Sequence, residues 1–354
     1  MKTEILSLHP EFPDLKQIAR CAKVIRRGGL VIFPTETVYG IAADFTNDEA
    51  IRRLRAIKRR SSDKPFSVMI AHTDLIGQVT RFSDPLFYKL MARYWPGPLT
   101  MVIPGLIAPN TIGVRIPDNI IALKLLQAAQ CLVAAPSANL EGKKPPRSCQ
   151  EALEDLDGLV DMAIDGGATG DGVSSSVIDL MQGPVKVLRE GTIKQEDIKK
   201  TELQKTVLFV CTGNSCRSVM GEYLLKKHVA GRDDIEVLSA GTSVFIQGRA
   251  SGETVNVLAG EGIDARGHIS RPIDRVLLKK ADLIFVMTQG HRSQVLSLVP
   301  EIDKRVYLLR ELQANKGQAY SQLDVPDPIG QSHAAYKDCL EVIRESVDKI
   351  VKLI

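Results

Sequence analysis

Two motifs separated by about 150 residues constrain this chain more than any other feature. The first is Pro34-Thr35-Glu36-Thr37-Val38-Tyr39-Gly40, followed by Lys58, Arg59 and Arg60. The second is Cys211-Thr212-Gly213-Asn214-Ser215-Cys216-Arg217-Ser218. The first pattern suits a nucleotide and amino-acid site, the second a cysteine nucleophile in an anion cradle. Neither completes the other, so the chain is expected to build two sites in tandem. A length of 354 residues leaves room for two or three domains.

Hydrophobic residues make up 44% and charged residues 25%, the balance of a globular chain rather than a disordered one. The net charge is +4, shared about equally on either side of Gln204, so neither half is a polybasic arm. Overall charge therefore does not point to nucleic acid. No apolar run approaches the roughly 18–20 residues of a membrane span, and Met1-Lys2-Thr3-Glu4-Ile5 does not open a signal peptide. Six cysteines without paired spacing, no CxxC and no His/Cys cluster exclude a disulfide framework and a zinc site. A reducing cytoplasm, no membrane partner and no resident metal are expected.

Along the first half, helical spacing is predicted over 14–27 and 48–60, with Gly28-Gly29 stopping the first helix. Strands are predicted at 30–33, 66–70, 99–103, 112–116, 131–135, 160–164, 176–180 and 185–189. Many strands with few helices between the middle ones imply a twisted mixed sheet in an α/β domain. Residues 194–204 read as a terminal helix plus linker, giving domains at 1–196 and 205–354 with 197–204 between them. The second half alternates throughout: strands at 206–210, 235–239, 282–287 and 305–309, helices at 218–230, 251–261, 290–298 and 332–352. That order predicts a doubly wound parallel sheet.

In the second motif a thiol ends a strand and an arginine opens the next helix. Gly213 and Asn214 tolerate positive φ, so backbone N–H groups can turn inward as an anion nest, reinforced by the helix N-terminus. Such surroundings stabilise a thiolate. Arg217 can grip phosphate bidentately, and Ser218 can bond the sulfur. Attack on phosphorus also needs a proton donor, which Asp327 supplies in Asp324-Val325-Pro326-Asp327-Pro328-Ile329-Gly330.

Over about 205–354 the chain resembles the low-molecular-weight protein phosphatases, through the Cys211–Ser218 loop, Ser239-Ala240-Gly241-Thr242, Gly262-Ile263-Asp264 with His268, Ser270 and Arg271, and Met287-Thr288. The resemblance implies that Cys211 is the nucleophile, Arg217 the phosphate binder and Asp327 the general acid. Thr212, Gly213, Asn214, Ser215, Cys216 and Ser218 then form the phosphate loop, with Cys216 able to form a protective disulfide with Cys211. Val219 and Gly221 depart from the family's usual Pro and Ala, which touches helix entry rather than chemistry. Tyrosine-specific members carry two aromatics after the Asp-Pro pair, where this chain has Ile329 and Gly330. Arginine-specific members carry a small β-hydroxy residue at the place of Ser215. Phosphoarginine in a phosphoprotein is therefore the expected substrate and phosphotyrosine the runner-up. Arsenate reduction needs two more resolving cysteines, and only Cys339 follows Cys216.

In the first half, Arg52, Arg53, Arg55, Lys58, Arg59, Arg60 and Lys64 fall close together, mostly as the solvated face of a helix. Ala134-Ala135-Pro136-Ser137-Ala138-Asn139 is a small-residue turn whose Ser and Asn can meet a ligand. With Trp95-Pro96-Gly97-Pro98-Leu99-Thr100, Thr111-Ile112-Gly113-Val114-Arg115, Ile164-Asp165-Gly166-Gly167 and Leu188-Arg189-Glu190-Gly191, these pieces resemble the YrdC-like threonylcarbamoyl-AMP synthases across roughly 10–195. The resemblance implies a reaction of L-threonine, bicarbonate and ATP that releases pyrophosphate and feeds tRNA threonylcarbamoyladenosine. Lys58, Arg60, Thr111, Ser137, Asn139 and Arg189 would bind ATP with Mg²⁺. Thr35, Arg115, Ala135 (through its backbone) and Ser175 would bind threonine. Partners would be the substrates and tRNA or the complex that transfers the threonylcarbamoyl group. Ser174 stands where many members have Glu. The alternatives are an RNA-binding module that lost synthesis, and a second half that senses phosphate without catalysis.

Overall fold

The computed structural model describes residues 2–61, 65–106, 110–313 and 320–354; Lys64 of the basic run lies outside the described residues. The chain forms two compact units, one of residues up to Phe82 with Leu90–Lys199, the other of Ser83–Lys89 with Lys200–Ile354. Among the described residues no helix is long and apolar enough to cross a membrane.

The first unit is built on strands β1 (Glu4–Ser7), β2 (Val31–Phe33), β3 (Gly40–Asp44), β4 (Val68–Met69), β5 (Leu99–Pro104), β6 (Thr111–Arg115), β7 (Val133–Ala134), β8 (Met162–Asp165), β9 (Ser176–Asp179) and β10 (Lys186–Arg189). Among the described residues they form one sheet in the order β1-β8-β2-β3-β7-β4-β6-β5-β9-β10. Its pairings are mixed, β2 lying parallel to β8 but antiparallel to β3, as the pattern predicts. Alternation along β2 and β3 sends side chains to two cores. Val31, Phe33 and Ala42 meet Ile18, Ile25 and Leu125, while Ile32, Ile41 and Ala43 meet Leu54, Ala152 and Leu156. The sheet is thus covered on both faces.

Several elements correct the sequence reading, strand β1 and helix Pro85–Tyr94 among them. Strand β3, Gly40–Asp44, begins in the last residue of the first motif and was not among the expected strands. Helices Ile120–Ala129 and Cys149–Leu156 occupy the middle region expected to hold few; Asn119 and Ser148 cap them by accepting from the N–H groups of Ala122 and Glu151. The stretch read as helix plus linker is helical from Gln195 to Leu203.

The second unit carries β11 (Lys205–Cys211), β12 (Ile235–Gly241), β13 (Leu283–Val286) and β14 (Val306–Leu308), all paired parallel in the order β12-β11-β13-β14. Phe209 and Val207 face the core of helices Arg217–His228 and His333–Val351, whereas Leu208 and Val210 face that of Arg275–Lys280 and Gln289–Leu298. This is the predicted doubly wound sheet. The chain leaves β11 to one side for β12 and returns on the other for β13, so the carboxyl end of β11 is a switch point where a crevice opens. Cys211 is its last residue.

Candidate functional sites

At the end of β11, Cys211 Sγ lies 3.0 Å from Ser218 Oγ, and both residues are buried. Asn214 adopts φ 49°, the left-handed turn expected of the loop; Gly213 does not have positive φ, a correction to that expectation. The Asn214 side chain then works as an internal strut. Its Nδ2 donates to Ser218 Oγ at 3.0 Å and Ser239 Oγ at 2.7 Å, and its Oδ1 accepts the Arg271 N–H at 3.0 Å. Behind it, Ser239 donates to Glu222, and His268 Nε2 lies 3.0 Å from the Asn214 carbonyl. Thr242 and Ser243 N–H groups donate to the Cys211 and Thr212 carbonyls, and Ser251 N–H to that of Ser215, leaving the loop clamped from outside. A Cβ on Gly241 would stand 2.4 Å from the Thr212 carbonyl oxygen, so the end of β12 must be glycine for the loop to close.

Arg217 opens the helix and is buried. Its Nη1 donates to the Val325 carbonyl at 3.1 Å and its Nη2 to Asp327 Oδ2. Its Nε is buried without a hydrogen-bond partner among the described residues. A buried donor left unpaired is costly, and a phosphate oxygen in the loop would supply the acceptor. Cys216 Sγ lies 3.3 Å from Ser251 Oγ and 3.6 Å from Tyr336 Oη; it and Cys211 are free thiols. Ile329, beyond the acid, is 61% exposed, and Gly330 turns with φ 74°.

The first unit holds a cleft of about 580 Å³ lined by Thr35, Lys58, Arg60, Arg115, Ala135, Ser137, Asn139, Ser175 and Arg189. Nine of the ten predicted residues therefore converge from separate segments. Thr111 does not line it. It begins β6, opposite Pro104, four residues and about 13 Å along the strand from Arg115.

The cations do not wait unpartnered. Helix Asp48–Lys58 ends on Arg59 at φ 44°, and this turn brings Arg60 over the Phe66 ring, 5.2 Å from its centroid. Lys58 Nζ donates to the Ser137 carbonyl at 3.0 Å, the Asn139 carbonyl at 2.6 Å and Asn139 Oδ1 at 3.1 Å. All three of its protons are engaged, and burial lowers its pKa to about 8, with Arg60 adding to that and Glu141 opposing it. Ser137 Oγ donates to Asn139 Oδ1, and Asn139 Nδ2 donates to the carbonyls of Leu140 and Lys143. Ser175 Oγ sits 2.9 Å from Thr100 Oγ1 and accepts from Arg189 Nη2 at 3.2 Å. Burial and the charge of Arg115 push the Arg189 pKa down. Thr35 Oγ1 donates to the Val38 carbonyl, and the Ala135 N–H donates to the Ser67 carbonyl, leaving Ala135 its carbonyl to offer.

Glu36 and Glu141 were missed. Glu36 Oε1 lies 2.6 Å from Arg115 Nη2 in a buried ion pair. Arg115 also donates from Nη2 to Thr37 Oγ1 and from Nε to the Gly97 carbonyl, each at 3.0 Å. A carboxylate ligand at Arg115 would therefore have to displace Glu36 or approach through Nη1. The position of Glu36 inside the first motif was the signal available. Glu141 lines the cleft on the side of Lys58 and Arg60, and only the turn after Asn139 hinted at it. The described residues hold no cluster of three metal-ligating side chains. Mg²⁺ needs few protein carboxylates when phosphates share its coordination, and Glu141 fits that need.

A family model described as "Telomere recombination", named for Sua5, YciO and YrdC, matches residues 23–191, and one described as "Low molecular weight phosphotyrosine protein phosphatase" matches 206–354. The threonylcarbamoyl-AMP synthase of Pyrococcus abyssi is 38% identical over 206 residues, covering 56% of this chain and 60% of that one. A relative from Methanocaldococcus jannaschii is 33% identical over 201 residues, covering 54% of this chain and 95% of that one. The crystal structure of P. abyssi Sua5 complexed with L-threonine superposes with a TM-score of 0.55 at 25% identity, covering 86% of this chain and 99% of that one. The chain thus spans 60% or less of the first curated relatives it matches.

Proposed function

Because the chain belongs to the Sua5/YciO/YrdC family through residues 23–191 and carries a low-molecular-weight phosphatase domain over 206–354, we propose that it is a bifunctional cytoplasmic enzyme. A synthase domain spans 1–196 and a phosphatase domain 205–354, joined by 197–204. The synthase forms L-threonylcarbamoyladenylate from L-threonine, bicarbonate and ATP, releasing pyrophosphate for use in tRNA threonylcarbamoyladenosine formation. tRNA or the transfer complex is the partner that takes the product. The phosphatase hydrolyses phosphorylated protein side chains through a cysteinyl-phosphate.

The observation that carries the first reading is the convergence of Lys58, Arg60, Arg115 and Arg189 on one cleft. The carbamate of threonine is an anion that attacks an anionic α-phosphate, and the leaving pyrophosphate adds charge. Cations fixed in advance offset all three, so catalysis is positioning and electrostatics without a protein nucleophile. Lys58 and Asn139 shape the Ser137 turn, while Arg60 and Arg189 face the phosphates. Magnesium, when bound on the triphosphate, supplies charge neutralisation, with Glu141 as its protein carboxylate. Thr35, Ser175 and the Ala135 carbonyl hold the hydroxyl and ammonium end of threonine. Arg115 takes the carboxylate.

In the phosphatase, the Cys211 thiolate attacks phosphorus in line as the loop amides and Arg217 hold the equatorial oxygens. Asp327 protonates the departing atom and then takes a proton from the water that cleaves the S–P bond, returning the thiolate, the protonated acid and inorganic phosphate. Ser215 and the lack of an aromatic pair at Ile329 and Gly330 support phosphoarginine over phosphotyrosine. Two assays test these readings. Pyrophosphate release must require both threonine and bicarbonate; release without threonine sinks the synthase. Phosphoarginine peptides must turn over faster than phosphotyrosine peptides and not at all with Cys211→Ser; the reverse preference overturns the substrate assignment.

A further inference from the structure

His291 has no part in the reaction just described. It lies in the first turn of helix Gln289–Leu298 and is buried. Its Nε2 stands 2.9 Å from Oγ1 of Thr212, the residue after the nucleophile. Its Nδ1 stands 2.9 Å from Oγ1 of Thr288, which caps the helix. The same helix start anchors the acid loop: Gln289 N–H donates to Asp324 Oδ1 at 2.9 Å, and Val325 N–H donates to the Met287 carbonyl at 2.8 Å. Arg217 closes the ring through the Val325 carbonyl and Asp327. One imidazole therefore joins the phosphate loop to the helix start on which the loop bearing Asp327 is anchored.

We propose that His291 is a positioning residue of the phosphatase site, fixing the phosphate loop relative to the acid loop through its bond to Thr212. The proposal rests on the phosphatase reading and adds a residue to it. A neutral imidazole has one donor and one acceptor, and a threonine hydroxyl can answer either. Burial and the nearby Arg217 cation lower the His291 pKa to about 4, against the opposing pull of Asp327 and Asp324. The ring consequently stays uncharged near neutral pH and adds no second cation beside Arg217. Its contribution is geometric, and a shift of about 1 Å at such a site costs on the order of 100-fold in rate.

Glutamine and asparagine separate its two contacts. A glutamine amide reaches the place of Nε2, an asparagine amide that of Nδ1. His291→Gln retains the Thr212 bond and His291→Asn loses it. The readout is alkylation of Cys211 by iodoacetate in the full-length protein and its protection by inorganic phosphate. We expect His291→Asn to weaken phosphate protection roughly fivefold or more, and His291→Gln to stay within about twofold of the parent. Thr212→Val removes the same bond from the other side and keeps the test open if His291→Asn does not fold. Combined with His291→Asn it should add nothing further. Equal losses in Gln and Asn variants, no loss in Asn, or additive losses in the double variant each overturn the proposal. Protection is measured without turnover, so a parent that binds phosphate but hydrolyses nothing would sink the phosphatase reading, whereas protection unchanged in His291→Asn would sink the role of His291 alone.

Discussion

In the second unit eight consecutive residues, Cys211–Ser218, supply sulfur, cradle and arginine; in the first, the cleft draws on segments from Thr35 to Arg189. The two sites also differ in how their charges rest. The phosphate loop is braced from behind by Asn214, Ser239, Glu222 and His268, and Arg217 keeps one buried N–H without a partner among the described residues. In the cleft, the three Lys58 protons go to the Ser137 and Asn139 carbonyls and Asn139 Oδ1, and Arg115 is ion-paired with Glu36. A contiguous loop can be made ready by its own backbone. A dispersed cleft must hold its cations with internal partners until the ligand exchanges for them.

The largest test of that contrast is Cys211→Ser. Phosphatase turnover should fall by at least about 10³-fold, as for loss of any catalytic nucleophile, while threonine-dependent pyrophosphate release stays within about twofold. A parallel fall in synthesis would show that the two sites are not chemically separate. Next comes Glu36→Gln. Removing one member of a buried pair strands Arg115, so the melting curve should report a loss of about 3 kcal/mol without ligand, partly regained with threonine. No destabilisation would mean that Arg115 already stands open to its substrate.

Lys58 gives a smaller, pH-dependent effect. Its folded pKa of about 8 lies below the ordinary lysine value. Its charge, and with it ATP affinity, is present below pH 8 and declines as pH rises through that point. For stability the sign is opposite: between about 8 and 10.4 the unfolded chain binds the extra proton, so stability gains with pH there. Lys58→Arg should flatten the affinity limb in a titration calorimeter. The smallest effect is expected of Thr111→Ala, less than about twofold on the KM for ATP, because Thr111 does not line the cleft. A tenfold rise would place nucleotide beyond the cleft walls described above.

The strand order of the second unit was legible from Thr206-Val207-Leu208-Phe209-Val210 onward, although the short helix Arg275–Lys280 was not among the expected elements. The first unit was less so. Strand β1 has a mostly exposed pattern with no alternation to read, and β3 begins in a glycine that also ends a motif. The convergence on the cleft was foreseen for nine residues because they share short, chemically pointed motifs. What the sequence could not display was partnership: Glu36 on Arg115, and Asn139 under Lys58, depend on strands that meet only after pairing. His291 escaped notice for the same reason, since the residue it touches is 79 positions away.

The contact between Arg217 and Asp327 has a further meaning. At rest the arginine already holds one negative group, and on the phosphatase reading an incoming phosphoryl group would have to be the better anion to take its place. A dianionic phosphoryl group, on oxygen or on nitrogen, would bring more charge than the carboxylate it displaces, whereas a phosphodiester would bring only as much and gain nothing by the exchange. A resting pair of this kind would sort ligands by valence before any bond is broken, and its exchange would free Asp327 to take up the proton that its proposed role requires.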